Sequence, residues 1–565
     1  MTMTVSNREV ARLLRLMGEL ADIREESVFR VRAFERAARV IHDLDRRVEE
    51  MDADELRALP GIGSQIAGII TEIVEIGTTG ELEEMRASVP PGLPGLLDLE
   101  GVGPQTVRSL WKNLGVTGIS DLETAARGHR IRALSGFGPK KERMILRAIE
   151  RRRRSQDRMT RPEAESVIEQ VMEALSPAGT RVAGSFRRGA ATVGDIDVVT
   201  TDAPEEANRR LGGIADEVIS MGRRRTSIRC RGRRVDVRYT EPACAGSMLL
   251  YLTGSKEFNI ALRERARAAG YRLNEYGISG REGDGPETFS TEEALFARLG
   301  MDSIPPELRE NRGEVAAAAE HRLPDLVGIG DLRGDLHTHT HWSDGHDDLA
   351  TMCAAAEERG YDYLLITDHA SHLGVTRSLD EDRVRRQGRA IEQVNRESGC
   401  RALAGVEVDI DAHGSPTLPS RVLADLDLVI GAVHTGLSQE QDVITRRIIG
   451  AIENEHIDII AHPTGRLLGT RRPSDVDLGR IIDAAAENRT ALEINASPLR
   501  LDLDDPAVYR AREKGVLLSI GTDAHRASSM DHMRYGVLNA RRGWCGPADL
   551  LNTLSCTDLL EWASS

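Results

Sequence analysis

The 565-residue sequence is short of lysine, cysteine and aromatic side chains, and each shortage closes off some chemistry. Its six cysteines (Cys230, Cys244, Cys353, Cys400, Cys545, Cys556) form no CxxC pair, which argues against a disulfide frame or a thiolate zinc site. Only five of the 75 basic residues are lysines (Lys112, Lys140, Lys141, Lys256, Lys514), so amine nucleophiles are confined to a few places. Aromatics at 3% mean that any grip on nucleic acid rests on backbone contacts more than on base stacking. No run approaches the ~20 apolar residues of a membrane span. The opening MTMTVSNREV lacks the apolar core of a secretory signal. A cytoplasmic chain of about three to five domains, with no membrane partner, is expected.

The net charge of −15 is unevenly spread. Residues 1–100 carry 12 basic and 20 acidic groups, residues 101–160 carry 14 and 5, residues 181–240 carry 13 and 8, and residues 331–565 carry 25 and 38. A basic middle between acidic ends predicts a phosphate-binding surface beside a region rich in metal-binding carboxylates.

One pattern occurs three times in the N-terminal third: LPGIGSQIA at Leu59–Ala67, LEGVGPQTV at Leu99–Val107 and LSGFGPKKE at Leu134–Glu142. Each is a turn with glycines two apart (Gly61 and Gly63, Gly101 and Gly103, Gly136 and Gly138) entering an amphipathic helix. Glycine permits positive φ and close backbone approach, and a helix start offers unpaired N–H groups to a phosphate. One copy would serve equally as a bare helix corner; three beside a basic stretch favour the DNA backbone. The run Arg151–Arg154 reads as a linker or helix end within reach of phosphate.

Residues 160–245 alternate helix with β-rich runs. GSFRRG at Gly184–Gly189 leads into GDIDVVT, where Asp195 and Asp197 are two apart and point to one face of a strand. Asp236, between valines in RVDVRY, supplies a third acid from a second strand. Three converging carboxylates suit a pair of Mg²⁺ ions, with Ser185 and Arg188 binding phosphates nearby. These segments, with YLTGSKEFN at Tyr251–Asn259 and LNEYGI at Leu273–Ile278, resemble the family X DNA polymerases of the nucleotidyltransferase superfamily. The resemblance implies that Asp195 and Asp197 bind both metals, Mg²⁺ or Mn²⁺, and that Asp236 assists the primer 3′-hydroxyl. It implies nucleotide contacts from Gly184, Ser185, Arg188, Tyr251, Thr253, Gly254, Asn259 and Arg263, with gapped or nicked double-stranded DNA and deoxynucleoside triphosphates as partners.

Two departures stand out. Leu252 replaces an aromatic often found after the tyrosine, which predicts looser discrimination against ribonucleotides. Ile69 occupies the position of the lysine that forms a Schiff base in members with deoxyribose-phosphate lyase activity, Gln65 nearby is no amine, and no lysine precedes Lys112. Arginine does not substitute, because its guanidinium stays protonated. No lyase activity of that type is expected.

From residue 331 the rhythm changes. Seven strand-like runs recur (GDLHTHT, YLLITDH, ALAGVEVDI, LDLVIGAVH, IDIIAHP, ALEINA, VLLSIGTDAH), with helical patterns at Ser378–Ser398 and Gln439–Glu455, as in a parallel β/α barrel. Twelve of the fifteen histidines lie here. Nine ligand-type residues fall at or just after strand ends: His337, His339, Asp344, His369, Glu407, His434, His462, Asp523 and His525. Six imidazoles and three carboxylates would hold three ions and favour Mn²⁺, Zn²⁺ or Fe²⁺ over Mg²⁺ alone. His341, His346, His372, His413, His456 and His532 do not fit the rhythm. HTHTHWSDG, ITDH, GVEVDI, AHPTGR and TDAH resemble the PHP (polymerase and histidinol phosphatase) family. That resemblance implies phosphoester hydrolysis at a trinuclear centre, with Glu407 bridging and Arg466 holding phosphate.

The expected fold is multidomain, α+β and α/β. It comprises a lyase-like helix-hairpin-helix domain at 1–95, a fingers-like one at 96–158 and a nucleotidyltransferase palm with a mixed sheet at 159–245. A helical thumb at 246–325 and a distorted (β/α)7 PHP barrel at 331–565 follow. The order matches bacterial family X polymerases that carry a PHP domain, and implies gap filling in DNA repair with 3′–5′ exonuclease action, extending to abasic sites or blocked 3′ termini. Complete ligand sets at both sites weigh against a hydrolase with an idle palm or a DNA-binding scaffold. The hairpins and YLTGSKEFN weigh against an RNA-directed nucleotidyltransferase.

Overall fold

The computed structural model describes residues 7–42, 48, 51–59, 61–97, 99, 101–156, 158–280, 287–370 and 378–564. They fall into two compact units, one ending at Gln156 and one beginning at Asp157. His372, residues 281–286 and the side chains of Arg151–Arg154 lie outside the described residues.

The first unit is helical. In Asn7–Ile23 the buried residues Val10, Leu14, Met17 and Ala21 recur at helical spacing, so one stripe faces inward. That stripe, Phe34 of Val28–His42, Ile70 of Ser64–Ile76, Leu110 of Pro104–Leu114 and Ile145 of Pro139–Gln156 share one core. This core runs through both helical segments that the sequence reading separates at 95–96.

The second unit opens with a five-stranded mixed sheet in the order Thr180–Val182, Ile196–Thr200, Arg233–Tyr239, Arg225–Cys230, Glu217–Met221. The two strands carrying the acid motifs run parallel, and Asp197 lies directly opposite Asp236 in register. Val235 and Val237 point the other way, into a core with Val167 and Leu211 of the covering helices. Helices Ala245–Thr253, Lys256–Ala268 and Glu292–Arg298 follow, with a hairpin between Arg272–Asn274 and Gly277–Ser279.

Seven parallel strands then form a nearly closed barrel: Gly334–Thr338, Tyr363–Ile366, Arg401–Asp409, Leu428–Ala432, Ile459–Ile460, Ala491–Asn495 and Leu518–Gly521. The His339 N–H donates to the Ala524 carbonyl at 2.9 Å and the Asp523 N–H to the His337 carbonyl at 2.9 Å, joining the first strand to the last. Apolar strand runs buried on both faces suit a parallel sheet wrapped by helices. The segment LPDLVGIGD at 323–331 has the composition of a linker but packs: Val327 is buried in the barrel's core and its N–H donates to the Cys545 carbonyl at 3.0 Å.

Candidate active sites

The three glycine repeats are one structure repeated. The N–H groups of Ile62, Val102 and Phe137 donate to the carbonyls of Leu59, Leu99 and Leu134 at 3.1, 3.0 and 3.0 Å. Gly61, Gly101 and Gly136 take φ of 89°, 73° and 79°, where a side chain would be strained. Gly63, Gly103 and Gly138 stand at the starts of the following helices with open space where a side chain would be, so the backbone there is bare.

In the palm, carboxylate oxygens of Asp195, Asp197 and Asp236 lie within 4.8 Å of one another. Asp195 sits just ahead of the strand rather than in it, and is exposed. Burial, then the charges of Asp195 and Asp236, push Asp197 up to about 7. Burial also raises Asp236, but hydrogen bonds from Ser227 (2.5 Å), Arg225 (2.8 Å) and Arg234 (3.0 Å) outweigh it and hold the group below its ordinary value. The short helix Gly184–Arg187 turns over this triad, and a side chain at Gly184, where φ is 62°, would collide with the Asp197 carboxylate.

A cleft of about 570 Å³ opens from the triad. Its wall brings together Gly184, Ser185 and Arg188 of GSFRRG, Tyr251, Gly254 and Asn259 of YLTGSKEFN, and Arg263 further along the helix Lys256–Ala268, along with Leu252. Thr253 stands behind the wall, fully buried: its carbonyl accepts from Arg188 Nη1 at 2.5 Å and its Oγ1 from Arg187 Nη1 at 2.8 Å. Ile69 is buried in its helix, with no polar group to offer.

All nine barrel residues converge. Three groups with ligand atoms within 4.8 Å can be drawn: His339, Asp344, His369 and His525; His337, His339 and Asp523; and His369, Glu407 and His434. His462 joins through Glu407, with Nε2 3.0 Å from Oε1. Glu407 is central, 2.8 to 3.6 Å from ring nitrogens of His337, His339, His369, His434 and His462. His462 and Asp523 hold φ of 28° and 54°, strain of a kind that clusters at functional sites.

The donor set fits cations. Glu407 Oε2 and His339 Nδ1 are buried without a hydrogen-bond partner, and the Nε2 atoms of His337 and His339 face each other at 3.1 Å. Burial would favour neutral imidazoles, and with the nearby His369 and His525 it lowers His339 to about 4. Around Glu407 the carboxylates win: against burial, Glu407 and Asp409 raise His434 to about 9, and Glu493 and Glu407 raise His337. Conversely, despite burial, the imidazoles hold Asp344, Glu407 and Asp523 well below the usual carboxylate range.

Several residues escaped the sequence reading. Glu493, buried in the middle of the sixth strand, lies 2.7 Å from His337 Nδ1 and accepts the His462 N–H at 2.6 Å. Asp409 lies 2.6 Å from His434 Nδ1. Both fix ring orientation, as outer carboxylates do for histidine ligands. The signal was an acid inside an apolar strand run, ALEINA. Arg466 Nε donates to the Arg500 carbonyl at 2.9 Å and Nη2 to the Leu501 carbonyl, so it braces a loop. From that loop Arg500 comes within 3.3 Å of Asp523.

Family models match along the chain: a helix-hairpin-helix domain over 5–79, a SAM-like helix-hairpin-helix tandem over 94–151, the DNA polymerase beta palm over 158–239, the DNA polymerase beta thumb over 248–310 and the PHP domain over 335–497. The DNA polymerase/3′–5′ exonuclease PolX of Bacillus subtilis is 36% identical over 563 residues, 98% of each chain. The chain belongs to the bacterial family X DNA polymerases with a C-terminal PHP domain. Two partial relatives divide this family's architecture between them. Rat DNA polymerase lambda is 30% identical over 39% of this chain and 41% of its own, and a probable phosphatase of Thermoanaerobacter is 32% identical over 34% and 78%.

Proposed function

We propose that this DNA polymerase and 3′–5′ exonuclease fills short gaps in DNA repair, acting on gapped or nicked duplexes and deoxynucleoside triphosphates in the cytoplasm. The observation that carries the reading is the cleft joining the acid triad to GSFRRG and the helix pair beyond it. Gly184, Ser185 and Arg188 bind the triphosphate at a helix start, while Tyr251 and Gly254 flank the sugar and Thr253 braces Arg187 and Arg188 from behind. Asn259 and Arg263 reach the nascent base pair. Asp236, kept ionised by Ser227, Arg225 and Arg234, orients the primer 3′-hydroxyl. Mg²⁺ or Mn²⁺ held by Asp195, Asp197 and Asp236 would supply the Lewis acidity for attack on the α-phosphate and departure of pyrophosphate.

Gly61, Gly63, Gly101, Gly103, Gly136 and Gly138 present bare backbone to DNA phosphates. In the barrel, His337, His339, Asp344, His369, Glu407, His434, His462, Asp523 and His525 would hold three Mn²⁺, Zn²⁺ or Fe²⁺ ions, and Arg466 and Arg500 steady the phosphodiester, including those at abasic sites or blocked 3′ termini. The working modules are 1–95, 96–158, 159–245, 246–325 and 331–565. Extension of one primer should be faster in a one-nucleotide gap than on an open template; equal rates would remove the gap-filling reading.

With Ile69 in place of a reactive amine, the chain lacks Schiff-base lyase activity. Borohydride treatment with an incised abasic substrate should trap no covalent adduct, and a trapped adduct would overturn this.

A further inference from the structure

The GSFRRG turn is held from two sides. On the thumb side, Arg187 donates to Glu292 at 2.6 and 2.9 Å and Arg188 Nε to Glu310 Oε1 at 2.9 Å. The other side belongs to the PHP domain. Arg542, buried at the end of the barrel helix Met533–Arg542, donates Nη1 to the Arg188 carbonyl at 2.7 Å and to the same Glu310 Oε1 at 2.8 Å. Its Nη2 donates to Asp505 Oδ2 at 3.0 Å, and Arg312 of the thumb donates to Asp505 at 2.5 Å and to the Arg542 carbonyl at 2.9 Å. Gly189, which closes the turn at φ 75°, packs against this side chain: a Cβ there would stand in ordinary contact, 3.4 Å from Arg542 Cδ.

We propose that Arg542 is a positioning residue for the polymerase reaction, by which the PHP domain holds the triphosphate-binding turn of the palm. The inference rests on the reading of Arg188 as a phosphate ligand. Glu310 lines the nucleotide cleft and is shared between two guanidinium groups. With Arg542 present, part of its charge is already compensated, and Arg188 turns toward a triphosphate without leaving a half-buried carboxylate bare. Without Arg542, Glu310 competes with the triphosphate for Arg188, and the Arg188 carbonyl loses a charged donor. Arg542 makes no described contact with any of the nine barrel ligands, so degradation does not depend on it. A second palm–barrel contact, Tyr535 and Arg534 to Glu165 at 2.7 and 2.8 Å, lies apart from the turn and serves as the control.

The test is steady-state gap filling by the full chain. Arg542→Ala should raise the nucleotide KM by about tenfold, the loss of one charge-assisted hydrogen bond, with a smaller change in kcat and unchanged exonuclease. Arg542→Lys should recover part of the loss, and Glu165→Gln should leave KM alone. Where Arg542→Ala does not fold, Arg542→Gln keeps the aliphatic stem and a neutral polar end and should raise KM in the same direction. Combined with Arg188→Ala, Arg542→Ala should add less than its effect alone, because the part that acts through the Arg188 guanidinium is already lost. Raised KM with Arg188→Ala but not with either neutral Arg542 variant would overturn the inference alone, as would full additivity in the double variant. An unchanged KM with Arg188→Ala would overturn the phosphate-ligand reading and the inference with it.

Discussion

The palm and the barrel both gather carboxylates toward phosphate chemistry, with opposite charge balances. In the palm nothing within the triad offsets three acids, and burial with mutual repulsion pushes Asp197 up to about 7. In the barrel three acids meet six imidazoles, so the carboxylates stay low while His434 rises to about 9. Arg225 and Arg234 pair with Asp236 alone, so the remaining positive charge must come from outside, and a partly exposed set of hard oxygens suits ions that arrive with a triphosphate. The barrel set has a buried centre in His337, His339, Glu407 and His462, is mixed in donor type and is braced by Glu493 and Asp409, as suits ions that stay bound.

The largest effects should come from removing one ligand on either side. Asp236→Ala should lower primer extension at least about 10²-fold, as loss of electrostatic stabilisation at a reacting centre does, and spare degradation. His339→Ala should do the converse on the same labelled primer. Loss of both activities in either variant would abolish the distinction between the sites.

A smaller effect should follow from loosening the barrel without removing a ligand. Glu493→Gln should weaken the metal dependence of degradation by about 10–100-fold in half-saturating Mn²⁺, read by titration into chelator-treated protein, with extension unchanged. Unaltered half-saturation would mean that Glu493 does not brace the ligands.

The smallest test asks what burial alone does to a barrel carboxylate. Asp458 has no imidazole acting on it; burial pushes it up to about 7, against one hydrogen bond from the Val429 N–H at 2.7 Å. Its folded pKa lies above the unfolded value, so ionisation costs stability increasingly from the ordinary carboxylate range up to about pH 7, and fully above that. Asp458→Asn keeps an oxygen acceptor. It should leave Tm nearly unchanged near pH 4 and raise it by about 2–4 °C at pH 8. Equal shifts at both pH values would contradict this.

Much of this was legible in the sequence because its signals are local. All seven apolar runs after residue 331 became barrel strands, and their ligands sit at the strand ends because a parallel barrel puts those ends on one face. The helical patterns at 378–398 and 439–455 became Glu381–Val394 and Gln441–Ile452. What was not legible depends on partners far apart in the chain. Glu493 reads as an ordinary acid until His337, 156 residues away, is placed beside it. Arg466 fits its motif, but only the fold shows that its Nε and Nη2 brace the backbone of residues 500 and 501. Nothing in the local sequence of Arg542 points to Arg188, since only the packing of thumb, palm and barrel brings them together. Segment 323–331 has a linker's composition, and its packing on the barrel is set by Cys545.

The central claim is that one chain carries two independent and opposed activities. It is tested most directly with a 5′-labelled primer bordering a one-nucleotide gap, incubated with the wild-type chain and Mn²⁺, with and without the four deoxynucleotides. The primer should lengthen when nucleotides are present and shorten when they are absent. Shortening in both lanes would contradict the claim, leaving the palm triad without the role its geometry supports.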